Sequence, residues 1–499
     1  MSKNQKIEFG DFQTPLNLAT QITKKLVFLG VEPNIVFEPT CGIGNFLQAA
    51  SGTFKSANKI IGIDINPIYV KEAQNNINLN KDYRIKVYRD NFFDFNWSDF
   101  SNSFPGKILV IGNLPWVTSS CLGSIEGDNL PSKSNFQNHQ GLNAITGKSN
   151  FDISEWMLIK TIDWLQNYDS YLAMLCKTSV ARKVLNHIRD RELNLSYCAT
   201  YEINTKKYFQ ANVKSCLLYC KFDNGKKQYF CDVFANINSS KYQKIGYHNE
   251  FLIRDINSFR KVSYLYANKA LTKWRSGVKH DCSNVMELSD KNGSLVNGFG
   301  EMVDLENTFL YPLLKSSDVA NNKVDCASKY VIVTQKAIGS STNAIAQIAP
   351  KTWNYLSKYS QLLDNRKSKI YNNKPQYSIF GVGDYSFKKW KIAISGLYKR
   401  LNFRLVGEIN NKPTFFDDTV YFISFDCRES ATSTLKLLNN EKIISFYSSL
   451  IFWDDKRPIK ASILNKLDLE KAKHQLANLP KTKDKLYQHL IEVNEREEH

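Results

Sequence analysis

Apolar positions in the first 240 residues alternate between two spacings. Leu16, Ala19, Ile22, Leu26 and Leu29 recur at the interval of one helical face; Thr14 is placed to cap the first turn, Pro15 suits the first helical position and Gly30 ends the segment. Short apolar runs without helical period follow at 34–38, 59–64, 84–88, 107–111 and 171–176. Their length and β-branched content predict buried strands. Helices are predicted after Leu47, from Pro67, over 151–165 and over 178–189, so strand and helix alternate as in a Rossmann-like, doubly wound α/β sheet. Runs 216–222 and 228–234 flank Asp223-Asn224-Gly225, a hairpin signal, and the first domain is expected to span residues 1–240.

Four successive strands end on a polar residue. The first runs into Glu38-Pro39-Thr40-Cys41-Gly42-Ile43-Gly44, where two glycines between strand and helix let the backbone approach a ligand. The second ends at Asp64, about twenty residues past Gly44, where a mononucleotide-binding βαβ unit places its ribose acid. The third ends at Asp90-Asn91-Phe92-Phe93, offering an acceptor for an adenine amino group and rings to lie against it. The fourth delivers Gly112-Asn113-Leu114-Pro115-Trp116, a polar amide, a fixed backbone and a ring at a strand end, suited to gripping a planar group. The glycine loop has no Lys-Ser/Thr and begins on Glu38, which repels a pyrophosphate and attracts an amino or sulfonium group. The expected ligand is adenosine-like with a cationic tail; S-adenosylmethionine fits, NAD and ATP do not.

Beyond residue 240 the alternation stops. Residues 245–499 are expected to form a second, mixed α/β domain with a charged helical tail. Basic residues interleave with rings around Lys279, Arg366 and Lys367, and Lys388 and Lys389, a pattern suited to tracking phosphates. Residues 117–150 are rich in Ser, Asn, Gly and Lys, and place Lys133 and Lys148 within reach of a phosphate backbone. Composition sharpens this picture: 66 Lys+Arg against 48 Asp+Glu give a net charge of +18, pointing to a polyanion, with nucleic acid ahead of membrane. Ten cysteines without a CxxC pair argue against structural zinc or a disulfide framework, and no apolar run approaches membrane-spanning length, so an unanchored cytoplasmic protein is expected.

These residues resemble DNA adenine-N6 methyltransferases of the TaqI-like restriction-modification type, in which a target recognition domain follows the catalytic domain. Phe12-Gln13-Thr14-Pro15 resembles the amino-terminal cofactor motif; Glu38, Pro39, Cys41, Gly42 and Gly44 lie in a stretch similar to the methionine-binding loop. Asp64 looks like the ribose acid, and Asp90 with Phe92 like the adenine-binding segment of the cofactor site. Asn113-Leu114-Pro115-Trp116 is similar to the (Asn/Asp)-Pro-Pro-aromatic catalytic motif, with Leu114 where the family usually has Pro, and Phe209 matches an aromatic that supports a flipped base. The resemblance implies S-adenosylmethionine as cofactor, a flipped adenine in double-stranded DNA as substrate, no required metal, and a cognate restriction endonuclease as candidate second partner. Two other readings stay open: an RNA or protein-glutamine N-methyltransferase using the same tetrapeptide, and a non-catalytic DNA-binding protein with a regulatory cofactor site.

Overall fold

The strand-forming runs come together in one ten-stranded sheet, in the order 251–253, 242–248, 231–234, 195–203, 215–222, 170–177, 108–113, 35–38, 59–64 and 85–89. The computed structural model describes residues 12–477 except 81, 98–99, 101–105, 117–151, 224, 226 and 270–271. Its contacts divide the chain into two units, Met1–Asn257 and Ser258–His499.

In the first unit β1 (Ile35–Glu38) pairs in parallel with β2 (Lys59–Asp64) on one side and β4 (Ile108–Asn113) on the other. β3 (Ile85–Arg89) and β5 (Ser170–Lys177) extend the parallel set outward. Strand order therefore reverses between β1 and β4, and Glu38 and Asn113 end the two strands that flank this switch point. In open α/β sheets that crevice is where ligands bind. All four β1 residues and the first five of β4 are buried, which explains why both read as continuous apolar runs.

Helices α1 (Leu16–Phe28), α2 (Asn45–Thr53), α3 (Pro67–Asn80), α4 (Ile153–Leu165) and α5 (Thr178–Asp190) supply the crossovers and flanks. The buried stripe of α1 is Leu18, Ala19, Ile22, Thr23 and Leu26; Leu16 faces outward, so the apolar face is rotated from the one the spacing predicted. Pro15 rather than Thr14 is the cap residue, and no side chain caps this helix. Leu47 of α2 lies so close to β2 that a Cβ on Gly62 would stand 2.6 Å from its Cδ1. Arg84, entering β3, donates to the carbonyls of Ser51, Phe54 and Ala57 at 3.0 Å each, satisfying the end of α2, and it holds the Asp82 carboxyl well below the usual range.

The expected hairpin at Asp223 does not form. The Asp223 carboxylate does accept the Gly225 N–H at 2.8 Å. But β7 (Ser215–Phe222) pairs antiparallel with β5 and β6 (Leu195–Ile203), while β8 (Cys231–Phe234) pairs in parallel with β6 on its other side. β6, unmarked by any clean period, takes the place between them. β9 (Tyr242–His248) and β10 (Phe251–Ile253) continue this sheet, so the first unit runs past residue 240 to Asn257.

Among its described residues the second unit holds two sheets. A four-stranded one has the order β11-β20-β17-β18, with β11 at Arg275–Ser276, β17 at Trp390–Ser395, β18 at Arg404–Val406 and β20 at Val420–Phe425. A six-stranded one has the order β14-β13-β12-β16-β15-β19, spanning Glu287–Lys291 (β12), Ser294–Val296 (β13), Met302–Val303 (β14), Leu310–Leu314 (β15), Lys329–Ile332 (β16) and Phe415–Phe416 (β19). With its helices, this is the mixed α/β character expected of the second half.

Candidate functional site

The glycine loop after β1 is fixed from three directions. Cys41 N donates to the Ile63 carbonyl at 2.9 Å, Gly42 N to Asp64 Oδ2 at 2.8 Å, and Ile43 N to Gln13 Oε1 at 3.3 Å. Gly42 and Gly44 have φ of 52° and 85°, the left-handed region where a side chain is strained, and a Cβ on Gly42 would stand 2.3 Å from Gln13. The other Asp64 oxygen accepts Asn66 N at 2.8 Å, so this carboxylate braces both the loop and its own turn.

The segment Phe12-Gln13-Thr14 crosses the loop and reaches the end of β4. The Thr14 carbonyl accepts Asn45 Nδ2 at 2.9 Å, and the Phe12 carbonyl accepts Asn113 Nδ2 at 2.9 Å. The Asn113 main-chain carbonyl accepts the Thr40 hydroxyl at 3.1 Å. Gly112 (φ 151°) lets β4 pass Glu38, since a Cβ there would lie 3.2 Å from Glu38 Cγ. Trp116 packs with Phe12 and Phe209, ring centroids 5.4 and 5.1 Å away, and its carbonyl accepts Lys177 Nζ at 3.2 Å. Lys177 also pairs with Asp152, the cap of α4.

Thr14 Oγ1, Glu38 Oε2, Asn113 Oδ1 and Trp116 Nε1 are buried without a hydrogen-bond partner among the described residues. Each such atom costs roughly 1–3 kcal/mol, and native folds keep few of them. Here four belong to the segments that meet where β1 and β4 end. A concentration of this kind is the mark of groups arranged for a ligand rather than for the fold. Burial, and secondly the nearby Asp64 charge, push the Glu38 carboxyl well above the usual carboxylate range, against the Leu47 N–H at the head of α2. Burial likewise raises the Cys41 thiol. A cation placed beside Glu38 would relieve its burial penalty, while an anion would add to it.

The structure thus brings together Phe12, Gln13, Thr14, Glu38, Pro39, Cys41, Gly42, Gly44, Asp64, Asn113, Leu114, Pro115, Trp116 and Phe209. Asp90 is exposed, its carboxylate accepting Asn91 N at 2.7 Å, and its own N–H donates to the Asp64 carbonyl at 3.1 Å. Phe92 is packed within a ring cluster with Phe93, Trp97 and Trp156 at centroid distances of 5.2–6.2 Å. Sequence reasoning missed Thr40 and Lys177. Lys177 had a usable signal, since it is one more polar residue closing an apolar strand at the same edge.

The basic candidates of the second unit divide. Lys367 is exposed; Lys279, Lys388 and Lys389 lie 3.5, 2.8 and 3.6 Å from Asp281, Asp426 and Glu408. Lys133 and Lys148 lie outside the described residues. Arg366 is engaged within its own unit: its guanidinium donates to the carbonyls of Leu363, His280 and Ser378 and stacks 3.7 Å from the Tyr371 ring centroid. Arg366→Ala should therefore lower stability by roughly 2–3 kcal/mol, because three carbonyls lose their donor. Thermal melting measures the loss, and unchanged melting would show that these bonds do not support the fold.

Among the described residues no cluster of His, Cys, Asp and Glu could hold a metal, and no helix is long and apolar enough to cross a membrane. No protein-family model matches the chain. A Type IIL restriction-modification enzyme, MmeI, solved in complex with DNA, is similar in fold with a TM-score of 0.50 at 14% identity; the match covers 93% of this chain and 65% of that longer one. The Type II methyltransferase M.NspV of Nostoc sp. is 58% identical over 468 residues, covering 93% of this chain and 97% of the relative. On that identity, sustained through both units, the chain belongs to the Type II methyltransferases.

Proposed function

We propose that this chain transfers the methyl group of S-adenosylmethionine to the N6 amino group of a flipped adenine at a specific site in double-stranded DNA, within a restriction-modification system that includes a cognate endonuclease. The observation that carries the reading is the state of Asn113. Its Nδ2 is fixed on the Phe12 carbonyl while its Oδ1 is buried with no partner among the described residues, so the amide presents one acceptor in one direction. The M.NspV likeness supports a methyltransferase, and a fold shared with an enzyme solved on DNA supports the polyanionic partner to which the net charge of +18 points.

An exocyclic amine is a poor nucleophile because its lone pair is delocalised into the ring. Asn113 Oδ1 and the Leu114 carbonyl would each accept one of its N–H bonds, drawing nitrogen toward tetrahedral geometry and turning the lone pair out of the ring plane. Such preorganised dipoles act at full strength in a buried site, and holding the reactants in line supplies the rest. No covalent intermediate on the protein is needed.

The residues present fit the cofactor. Glu38, buried beside the head of α2, would hold a cationic amino-acid tail, Asp64 a ribose hydroxyl, and Thr14 Oγ1 a further polar group. When bound, S-adenosylmethionine supplies an electrophilic methyl on a sulfonium. Flipping the adenine costs roughly a few kcal/mol, and stacking on Trp116 offsets roughly 1–3 kcal/mol of it, with Phe209 behind the indole. The second unit would read the target sequence.

Incubation with S-adenosylmethionine and unmethylated genomic DNA, followed by sequencing that maps N6-methyladenine, tests the reading. One recurrent methylated motif is expected. Methylation of cytosine, or methyl transfer to RNA alone, would overturn it.

A further inference from the structure

Thr40 stands outside the set of residues that sequence reasoning assigns to the site, yet its hydroxyl crosses from the β1–α2 loop to the end of β4 and donates to the Asn113 carbonyl at 3.1 Å. We infer that Thr40 is a positioning residue for methyl transfer: it fixes the peptide plane between Asn113 and Leu114, and through that plane the direction of the acceptors that grip the amine. The inference rests on the reading of Asn113 Oδ1 and the Leu114 carbonyl as those acceptors.

A peptide unit is planar, so a bond to the Asn113 oxygen also fixes the Leu114 nitrogen. That plane can swing only by a coupled change of ψ at Asn113 and φ at Leu114. Pro115 restricts ψ of Leu114 by steric clash, but no ring restricts its φ, because position 114 is Leu and not Pro. On the amino side stands Gly112 at φ 151°, a residue free of the usual backbone limits. The acceptor-bearing turn is thus flanked by one permissive residue and contains another. Phe12 steadies the Asn113 side chain, and the pairing of β4 with β5 holds its main chain as far as the register Asn113–Leu175. The Thr40 bond adds a restraint at the Asn113 carbonyl, where β4 ends and the acceptor-bearing turn begins.

Thr40 is well placed for this. It follows the buried Pro39, and the next two residues are anchored, Cys41 N on the Ile63 carbonyl at 2.9 Å and Gly42 N on Asp64 at 2.8 Å. A hydroxyl on so rigid a support transmits its position to Asn113. The same loop carries Glu38 at its head, so the cofactor's loop and the amine's acceptors share one frame.

Thr40→Val keeps the shape and removes the donor; Thr40→Ser keeps the donor. Three quantities are measured on the full chain: single-turnover transfer of labelled methyl to unmethylated genomic DNA, S-adenosylmethionine affinity and thermal melting. Thr40→Val is expected to lower the single-turnover rate roughly tenfold with cofactor affinity and melting unchanged, and Thr40→Ser to restore the rate. Should Thr40→Val fold poorly, Thr40→Ala carries the same expectation. A wild-type rate in the Val and Ala variants overturns the inference. So does a Ser variant as slow as Val, or a loss of rate that tracks cofactor affinity or melting, the pattern of a purely structural staple. Failure of the unsubstituted chain to methylate DNA overturns the functional reading and this inference with it.

Discussion

Asn113→Ala is expected to cut single-turnover methyl transfer by roughly 10²–10³-fold, the range seen when one preorganised hydrogen-bonding group is removed from a buried reaction centre. S-adenosylmethionine should still bind, because the loop that would hold it is braced by Asp64, Gln13 and the Ile63 carbonyl, none of which depends on the Asn113 side chain. The Phe12 carbonyl loses its donor, a cost of about 1 kcal/mol, but the orphaned Oδ1 goes with it and returns roughly 1–3 kcal/mol, so melting should stay at or above wild type. Asn113→Asp should fall between wild type and Ala: it keeps an acceptor, but sets a second oxygen against the Phe12 carbonyl. Labelled-methyl incorporation and calorimetric titration of the cofactor decide the matter. Wild-type turnover in the Ala variant would remove Asn113 from the reaction.

The parts of this site legible in the sequence share a physical origin. Glu38, Asp64 and Asn113 are polar residues that close buried strands, and a polar residue adjoining an apolar run shows in one dimension. Gly42 is legible for a related reason: its positive φ, in a tight turn between strand and helix, disfavours a side chain. What the sequence hid depends on where chain segments meet. Thr14 has the composition of a helix cap, but Pro15 is the cap residue and the Thr14 hydroxyl is buried without a partner among the described residues. The Asp223 carboxylate does meet the Gly225 N–H, yet that local bond cannot tell which strand its neighbours will pair with, and β6 inserts between them. Arg366 stands in a basic run, and that run does not announce that its guanidinium meets the carbonyls of His280 and Ser378, which are distant in sequence. Charge in sequence marks a candidate; only the fold shows whether that charge has partners already.

Glu38→Gln should separate binding from stability in opposite directions. In the ligand-free protein the Glu38 carboxyl titrates well above its ordinary value, chiefly through burial and then through Asp64. Its folded-state pKa thus exceeds the unfolded one of about 4.3, so the stability associated with this group is fully present below that value and is lost as pH rises through the folded pKa. Glutamine carries no charge to bury. At alkaline pH the ligand-free variant should therefore melt above wild type, each 1 kcal/mol gained being worth about 2–4 °C in a unit of this size, and at pH 4 the difference should vanish. Cofactor binding runs the other way. A cationic tail favours the carboxylate, so wild-type affinity should rise with pH until it passes the ligand-free pKa of Glu38, with a proton released on binding below that point. The variant should bind roughly 10–100-fold more weakly where Glu38 is ionised and the ligand's amino group is still protonated, the worth of one hydrogen bond to a charged group, and its affinity should lack the Glu38 titration. Melting curves and titrations at matched pH measure both. If the glutamine variant binds S-adenosylmethionine as tightly as wild type in that pH window, the carboxylate is not the group that holds the cationic tail.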